Sequence, residues 1–267
     1  MTGGEILIES LKAQGIRCIV GMPGNQNIHI YDPLLRVRGI AHYLIRNEQS
    51  ATLVANGYAR ASGQVGCALT VPGPGSTNAA TGLGDALTDS VPVLLITGGT
   101  EVAYDGRDRS KCFHGLDQAT FFSSIARFFA RPQSIAEIPA AVTGAFQALR
   151  AARPGPAVIE LPSDVAAAEG QAAIPAMIAG EHPVPDDDAL VEAAQILRSC
   201  KRPILLAGNN VIAADATAEF RAVAEALHIP VILTRLGKGA FADGHALCMG
   251  HCRGKLGDAL LQEADGL

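Results

Sequence analysis

The stretch "YLIRNEQSATLVANGYARASG", residues 43 to 63, carries one carboxylate, Glu48, where an apolar run read as a buried strand passes into a buried helix. A charge at such a join asks for a reason. A carboxyl group taken out of water holds its proton to higher pH, which suits it to proton exchange near neutrality. On residue type alone, Glu48 reads more readily as a cap for the helix from Gln49, or as the partner of Arg46 or Arg60. Two Gly- and Pro-rich stretches flank it in sequence, "GMPGNQNIHIYD" and "VPGPGSTNAA", and both can bring backbone close to a bound molecule. In the second, Ser76, Thr77 and Asn78 can cap the following helix or donate to a ligand. It has no Lys before Ser76 and has Asn78 at the third glycine position of GxGxxG, so a tight turn is preferred to a nucleotide-phosphate loop.

Other clusters are weaker. "HALCMGHC" sets His245, Cys248, His251 and Cys252 within eight residues, whereas structural zinc usually takes two separated ligand pairs. The plainer reading is a loop before a helix, with no metal site. "AYDGRDRSKC", residues 103 to 112, is the densest charge run and reads as a solvated loop, with an active-site lid as the alternative.

The elements that must position these residues alternate. Strands are expected at Arg17 to Gly21, Ala41 to Ile45, Gly66 to Val71, Val93 to Thr97, Ala126 to Ala130 and Ala157 to Leu161. Helices are expected at Gly4 to Gln14, Gln49 to Ala61, Ser76 to Thr88 and Ile135 to Ala151, from apolar residues at three and four spacing. Alternation predicts an α/β fold: a doubly wound parallel sheet of about six strands, helices on both faces. In such a sheet, ligands collect beyond the carboxyl ends of the strands. Residues 1–165 form this domain, 166–185 a linker, and 186–267 the first half of a second α/β domain. In that second part, Asp186 to Asp188 cap a helix through Leu197, "RPILLAG" is a strand, Asp215 caps a helix ending near Leu227, and "IPVIL" is the next strand. Two strands leave an open edge, so this domain is expected to be incomplete and the polypeptide longer.

Composition narrows the function. Of 267 residues, 48% are hydrophobic, 18% charged and 4% aromatic with no Trp, which fits an Ala-, Val-, Ile- and Leu-built core. A net charge of −5 with scattered Lys and Arg gives no basic stripe for a phosphate backbone, so nucleic acid is not an expected partner. No apolar run approaches the roughly 18 residues of a membrane span, and Glu5 and Glu9 stand where a signal peptide would be basic. A cytoplasmic protein with no membrane partner is expected, its six cysteines reduced.

The chain resembles the N-terminal, pyrimidine-binding domain of thiamine-diphosphate enzymes of the acetolactate synthase, benzoylformate decarboxylase and oxalyl-CoA decarboxylase group. The resemblance lies in "GMPGNQNIHIYDPL", "RNEQSATLVANGYARASG", "PGPGSTNAATGLGDALTDSVPVLLITG", "FHGLDQATFF" and "ARPGPAVIELPSDV". It continues through "RPILLAGNNV" and "LHIPVILTRLGKGAF", which look like the start of that family's central domain. These motifs in order reverse the preference for a merely capping Glu48.

The resemblance implies that Glu48 shares a proton with the aminopyrimidine ring of thiamine diphosphate. It implies that Pro23, Gly24, Val71, Pro74 and Asn78 line the pyrimidine pocket; His114 stands where the family often has Gln, and reads either as a proton shuttle or oxyanion donor or as a plain loop residue. Asn25, Gln26 and Gln118 fall at the substrate. Met22, Asn25 and His114 depart from residues usual in acetolactate synthases. The family's Mg²⁺ ligands, a "GDG" motif and a following Asn, are absent from this chain and are expected in a missing C-terminal diphosphate-binding domain. The implied protein is a homodimer or tetramer with its active site at the subunit interface. It cleaves or forms a C–C bond next to a carbonyl, with a 2-oxo acid such as pyruvate as donor. FAD against the central domain is a further option. The alternative is a non-catalytic cofactor-binding or regulatory module without the diphosphate domain.

Overall fold

A computed structural model describes residues 1–180 and 183–267 and divides the chain into two compact units, Met1–Glu181 and His182–Leu267. The first unit runs α1 (Gly3–Ala13), β1 (Cys18–Gly21), α2 (Ile28–Arg36), β2 (Ala41–Leu44), α3 (Glu48–Ser62), β3 (Gly66–Thr70), α4 (Pro74–Asp89), β4 (Val93–Gly99), α5 (Gln118–Phe122), β5 (Phe128–Ala130), α6 (Ile138–Leu149), β6 (Ala157–Pro162) and α7 (Ser163–Ala167). Its six strands form one parallel sheet in the order β2-β1-β3-β4-β6-β5, as the alternating pattern predicted. The chain moves outward from β1 to β2 and then returns to place β3 on the other side of β1. That reversal opens a crevice between the loops after β1 and β3.

Burial on both faces explains the continuous apolar runs of β3, β4 and β6, whose residues are all buried. One face packs Ile6, Leu7, Leu11, Ile30, Val142 and Phe146 against the sheet, and the other Ala51, Ala55, Ala79, Leu83 and Phe122. The second layer is built on alanines, so α3 and α4 approach closely.

Local chemistry sets the helix ends. Thr2 and Glu5 form a capping box on α1, Asn47 accepts from the Ser50 amide at the start of α3, and Gly63, with φ 69°, ends α3 in the left-handed region. A clamp holds α3 to α4: Arg60 donates to Asn56 (2.6 Å), Asp85 (3.2 Å) and Asp89 (2.7 Å), and Asn56 donates to Asp85 (3.0 Å).

Several expectations are corrected. The strand leading to Glu48 is not buried: β2 is an edge strand with Tyr43 60% and Leu44 65% exposed. "GMPGNQNIHIYD", read as a loop after the first strand, is a loop only through Asn27; from Ile28 it is helix α2, with Pro33 inside. Within the stretch read as a linker, the part before residue 181 is bonded to the first unit: Gln14 donates to the Ala176 carbonyl (2.6 Å) and Arg150 to that of Ile178.

The second unit runs α8 (Asp187–Ser199), β7 (Leu205–Ala207), α9 (Asn209–Ala213), α10 (Thr217–Leu227), β8 (Val231–Leu233), β9 (Cys248–His251) and α11 (Lys255–Glu263). Its sheet is parallel, ordered β7-β8-β9, so "CMGH" is a third strand and not the expected loop. Asp186 caps α8 as expected. Asp215 does not cap α10: it has φ 53°, and Ala216 stands at the cap. No helix among the described residues is long and apolar enough to cross a membrane.

Candidate functional site

Glu48 is the first residue of α3 and is 8% exposed. It neither caps the helix, which Asn47 does, nor pairs with Arg60, which the α4 carboxylates hold. Instead its Oε2 accepts from Asn78 Nδ2 at 3.1 Å, from the second turn of α4. Its Oε1 faces Gly75 in the first turn: a Cβ added there would stand 3.4 Å from Oε1 and 2.7 Å from Val71 Cγ2. The carboxyl group therefore sits against the N-terminal turns of two helices, whose free amides and dipoles favour an acidic group there.

The crevice at the switch point brings the remaining expected pocket residues together. Gly24 lies against Val71, with an added Cβ 2.5 Å from Val71 Cγ1. Pro23 and Pro74 are exposed beside them. Asn27 organises the first loop: its Oδ1 accepts from the Gly24 amide (2.8 Å) and its Nδ2 donates to the Met22 carbonyl (3.2 Å). Sequence reasoning passed over Asn27, although an Asn three residues after a Pro-Gly pair is a turn former.

His114 reaches the same region from the loop before α5. Gly73, with φ 63°, packs against it so closely that an added Cβ would be 2.8 Å from the His114 carbonyl oxygen. His114 itself has φ 57°, stacks on Phe113 with ring centroids 3.9 Å apart, and has a buried Nδ1 without a hydrogen-bond partner. Gln26 Nε2 donates to the Phe113 carbonyl (2.8 Å), and its buried Oε1 also lacks a partner. His114, from the loop before α5, and Glu48, from the start of α3, thus meet the N-terminal end of α4 at Gly73 and Gly75.

The other substrate candidates divide. Asn25 is exposed on the first loop. Gln118 is 1% exposed and engaged within the protein: its Oε1 accepts from Ser76 and from Thr97 (3.2 Å), and its Nε2 donates to the Gly98 carbonyl (3.1 Å). That places its amide behind the third loop, residues 71–73 after β3, bracing it against β4, not on an open surface.

An apolar groove of about 640 Å³ on the first unit lies between α2 and β2 and is lined by Pro23, Ile28, Tyr31, Leu35, His42 and Leu44. Glu48 is not among its lining residues. Tyr31 Oη and His42 Nε2 are 3.2 Å apart there, and burial pushes the His42 pKa down, partly offset by a hydrogen bond with Gly21. Among the described residues, no group of three or more His, Cys, Asp or Glu side chains is placed to hold a metal ion.

A parallel sheet with a buried carboxylate and short polar loops gathered at its switch point defines an α/β protein of the class in which ligands collect beyond the carboxyl ends of the strands. Residues 1–121 match the family description "Thiamine pyrophosphate enzyme, N-terminal TPP binding domain", and residues 190–267 match the central domain of the same enzymes. The chain belongs to the thiamine pyrophosphate enzymes of the acetolactate synthase group, of which it carries the N-terminal part. It is 35% identical over 253 residues to the acetolactate synthase large subunit of Lactococcus lactis, covering 93% of this chain and 44% of that protein. It is 37% identical over 263 residues to an acetolactate synthase of Arthrospira platensis, covering 94% and 44%. A probable acetolactate synthase large subunit of Methanocaldococcus jannaschii is 36% identical over 257 residues, covering 94% and 43%. The chain thus spans less than half the length of these relatives.

Proposed function

We propose that this chain supplies the pyrimidine side of the active site of a thiamine-diphosphate enzyme that makes or breaks a C–C bond next to a carbonyl, with a 2-oxo acid such as pyruvate as donor. The observation that carries the reading is Glu48: buried, bonded to Asn78, and pressed against the α4 turn beside Val71. The names of the relatives, acetolactate synthases, support a carboligase over a simple decarboxylase.

When bound, thiamine diphosphate supplies a carbon nucleophile for the substrate carbonyl. The residues present fit its pyrimidine end. Glu48 holds the proton exchanged with the ring nitrogen, on Oε1, because Oε2 is taken by Asn78. Pro23, Gly24, Val71 and Pro74 enclose the ring by backbone and van der Waals contact. His114 Nδ1 and Gln26 Oε1 are buried polar atoms without a partner in the protein, and with exposed Asn25 these residues are assigned to the substrate side. Gln118 contributes by bracing the third loop. The diphosphate and its Mg²⁺ are held by residues outside this chain, since hard phosphate oxygens call for a carboxylate and amide set that its sequence lacks. Exposed Leu35 on α2, Tyr43 and Leu44 on edge strand β2, and Leu53 and Val54 on α3 support a subunit interface.

Calorimetric titration of the intact protein with thiamine diphosphate and Mg²⁺, followed by pyruvate consumption in the same preparation, tests the reading. Saturable binding with turnover is expected. Absence of binding in the folded protein overturns the cofactor, and binding without turnover overturns the pyruvate assignment. A flavin absorption band in the purified protein would show that a flavin is bound.

A further inference from the structure

Arg131, which follows β5, is only 8% exposed and uses its whole guanidinium. Its Nη1 donates to Glu160 on β6, and its Nη2 to the Thr100 carbonyl (2.9 Å) and Asp105 Oδ1 (2.7 Å). Its Nε donates to Asp105 Oδ1 (3.1 Å) and Oδ2 (3.3 Å). Arg109 closes on the same Asp105 Oδ1 at 2.7 Å. Glu160 is 1% exposed, and its Oε2 has no hydrogen-bond partner. Burying such charges costs more than an apolar pair of the same volume, so the fold alone gives no reason to keep them.

What the network grips is the charged segment 101–112. Two 3-10 turns, Val102–Tyr104 and Arg109–Lys111, lie on either side of Asp105 to Asp108, and the Val102 amide donates to both carboxylate oxygens of Asp164 (3.2 and 3.0 Å). Beyond Arg109 the chain folds back on itself. The Gly115 amide donates to the Cys112 carbonyl (2.9 Å), and the Gly115 backbone lies directly against the Arg109 carbonyl, which leaves His114 in its left-handed turn against Gly73. The line of contact runs from the sheet through Glu160, Arg131, Asp105, Arg109 and Gly115 to His114.

We propose that Arg131 is a positioning residue: it staples the charged strap, residues 101–117, to the carboxyl edge of the sheet and so fixes His114 against the first turn of α4. The role needs the planar fork of arginine, because one side chain must engage Asp105 through two nitrogens while holding Glu160 and a carbonyl. The staple deepens the proposed function, and its bearing on catalysis rests on that reading of the α4 turn as the cofactor site.

The test is amide hydrogen exchange of the intact protein, read by mass spectrometry, for the parent, Arg131→Lys and Asp105→Asn. Asp105→Asn leaves Arg131 and Glu160 together and so keeps the sheet edge intact. Both variants should exchange about tenfold faster or more across residues 102–117, with β3 and β4 unchanged. Unchanged exchange in the strap, or equal loosening of the whole sheet, overturns the staple. Exchange needs no turnover, so it stays readable even if the proposed chemistry fails. For the link to His114, Asp105→Asn should cost turnover in the parent and nothing further in a His114→Ala background. Additive losses overturn that link.

Discussion

Asn78 Nδ2 donates to Glu48 Oε2 at 3.1 Å, and this one bond joins the N-terminal turns of α3 and α4 at the point where the sheet's loops diverge. It orients a buried carboxyl group so that one oxygen is committed and the other is presented toward Gly75. Asn78→Ala should lower kcat by roughly tenfold with a stability loss of only about 1 kcal/mol, the usual worth of a single hydrogen bond. Steady-state kinetics and a urea titration check both numbers. Equal kcat in variant and parent would show that the orientation of Glu48 does not depend on this amide.

Gly75 is where the carboxyl group and Val71 approach the helix. A Cβ there would stand 2.7 Å from Val71 Cγ2, so Gly75→Ala should destabilise by about 1–3 kcal/mol through overpacking. Adding Val71→Ala should recover part of the loss, because it removes the atom in conflict. Chemical denaturation of the two single variants and the double variant measures the coupling, and simple additivity would contradict the geometry.

The clamp behind the site has its own test. Arg60→Ala removes donors to Asn56, Asp85 and Asp89 and should cost roughly 2 kcal/mol, since hydrogen bonds to charged groups are worth more than neutral ones. Thermal unfolding reports the loss.

The buried pair beneath the strap makes stability depend on pH. Burial pushes the Glu160 carboxyl above its ordinary value of 4.5, offset in part by the Arg131 charge. The folded protein therefore binds this proton more tightly than the unfolded chain, and Glu160 lowers stability as pH rises from about 4.5 through its folded value. Asp105 acts in the opposite sense. Burial raises it, but the hydrogen bond and charge of Arg131, with help from Gln133 and Arg109, hold it below its ordinary 3.8. Its contribution is complete above pH 3.8 and is lost as pH falls through its folded value. Comparing Glu160→Gln with the parent across pH should show the stability difference moving in the variant's favour as pH rises above 4.5. A constant difference would contradict the burial argument.

The parts of the fold that sequence reasoning reached were those with one dominant signal. β3, β4 and β6 are unbroken apolar runs because helices cover both faces, and α3 and α4 show their apolar spacing over 15 and 16 residues. Helix α2 escaped because its nine residues follow a polar loop and contain Pro33. Strand β9 escaped because four residues with a left-handed Gly250 and a shifted register give no pattern to read. Glu48 stood out as a charge after a strand, but its position alone suggested a helix cap, a role that Asn47 fills. The network under the charged strap was not legible: Arg131 and Glu160 are 29 residues apart and meet only because β5 pairs with β6, Ala130 opposite Ile159. Gln118 was expected at the substrate, whereas packing gives its amide to Ser76, Thr97 and Gly98, a pairing no sequence pattern announces.

The central claim is that Glu48 exchanges a proton at the pyrimidine end of the cofactor. Its most direct test is Glu48→Gln in the intact protein, which keeps shape and the Asn78 contact but removes the exchangeable acid. Turnover is predicted to fall by about 10²- to 10⁴-fold, the usual contribution of a positioned acid or base, with the thermal unfolding midpoint within a few degrees of the parent. A folded variant that keeps turnover within about threefold of the parent, well short of that contribution, would contradict it.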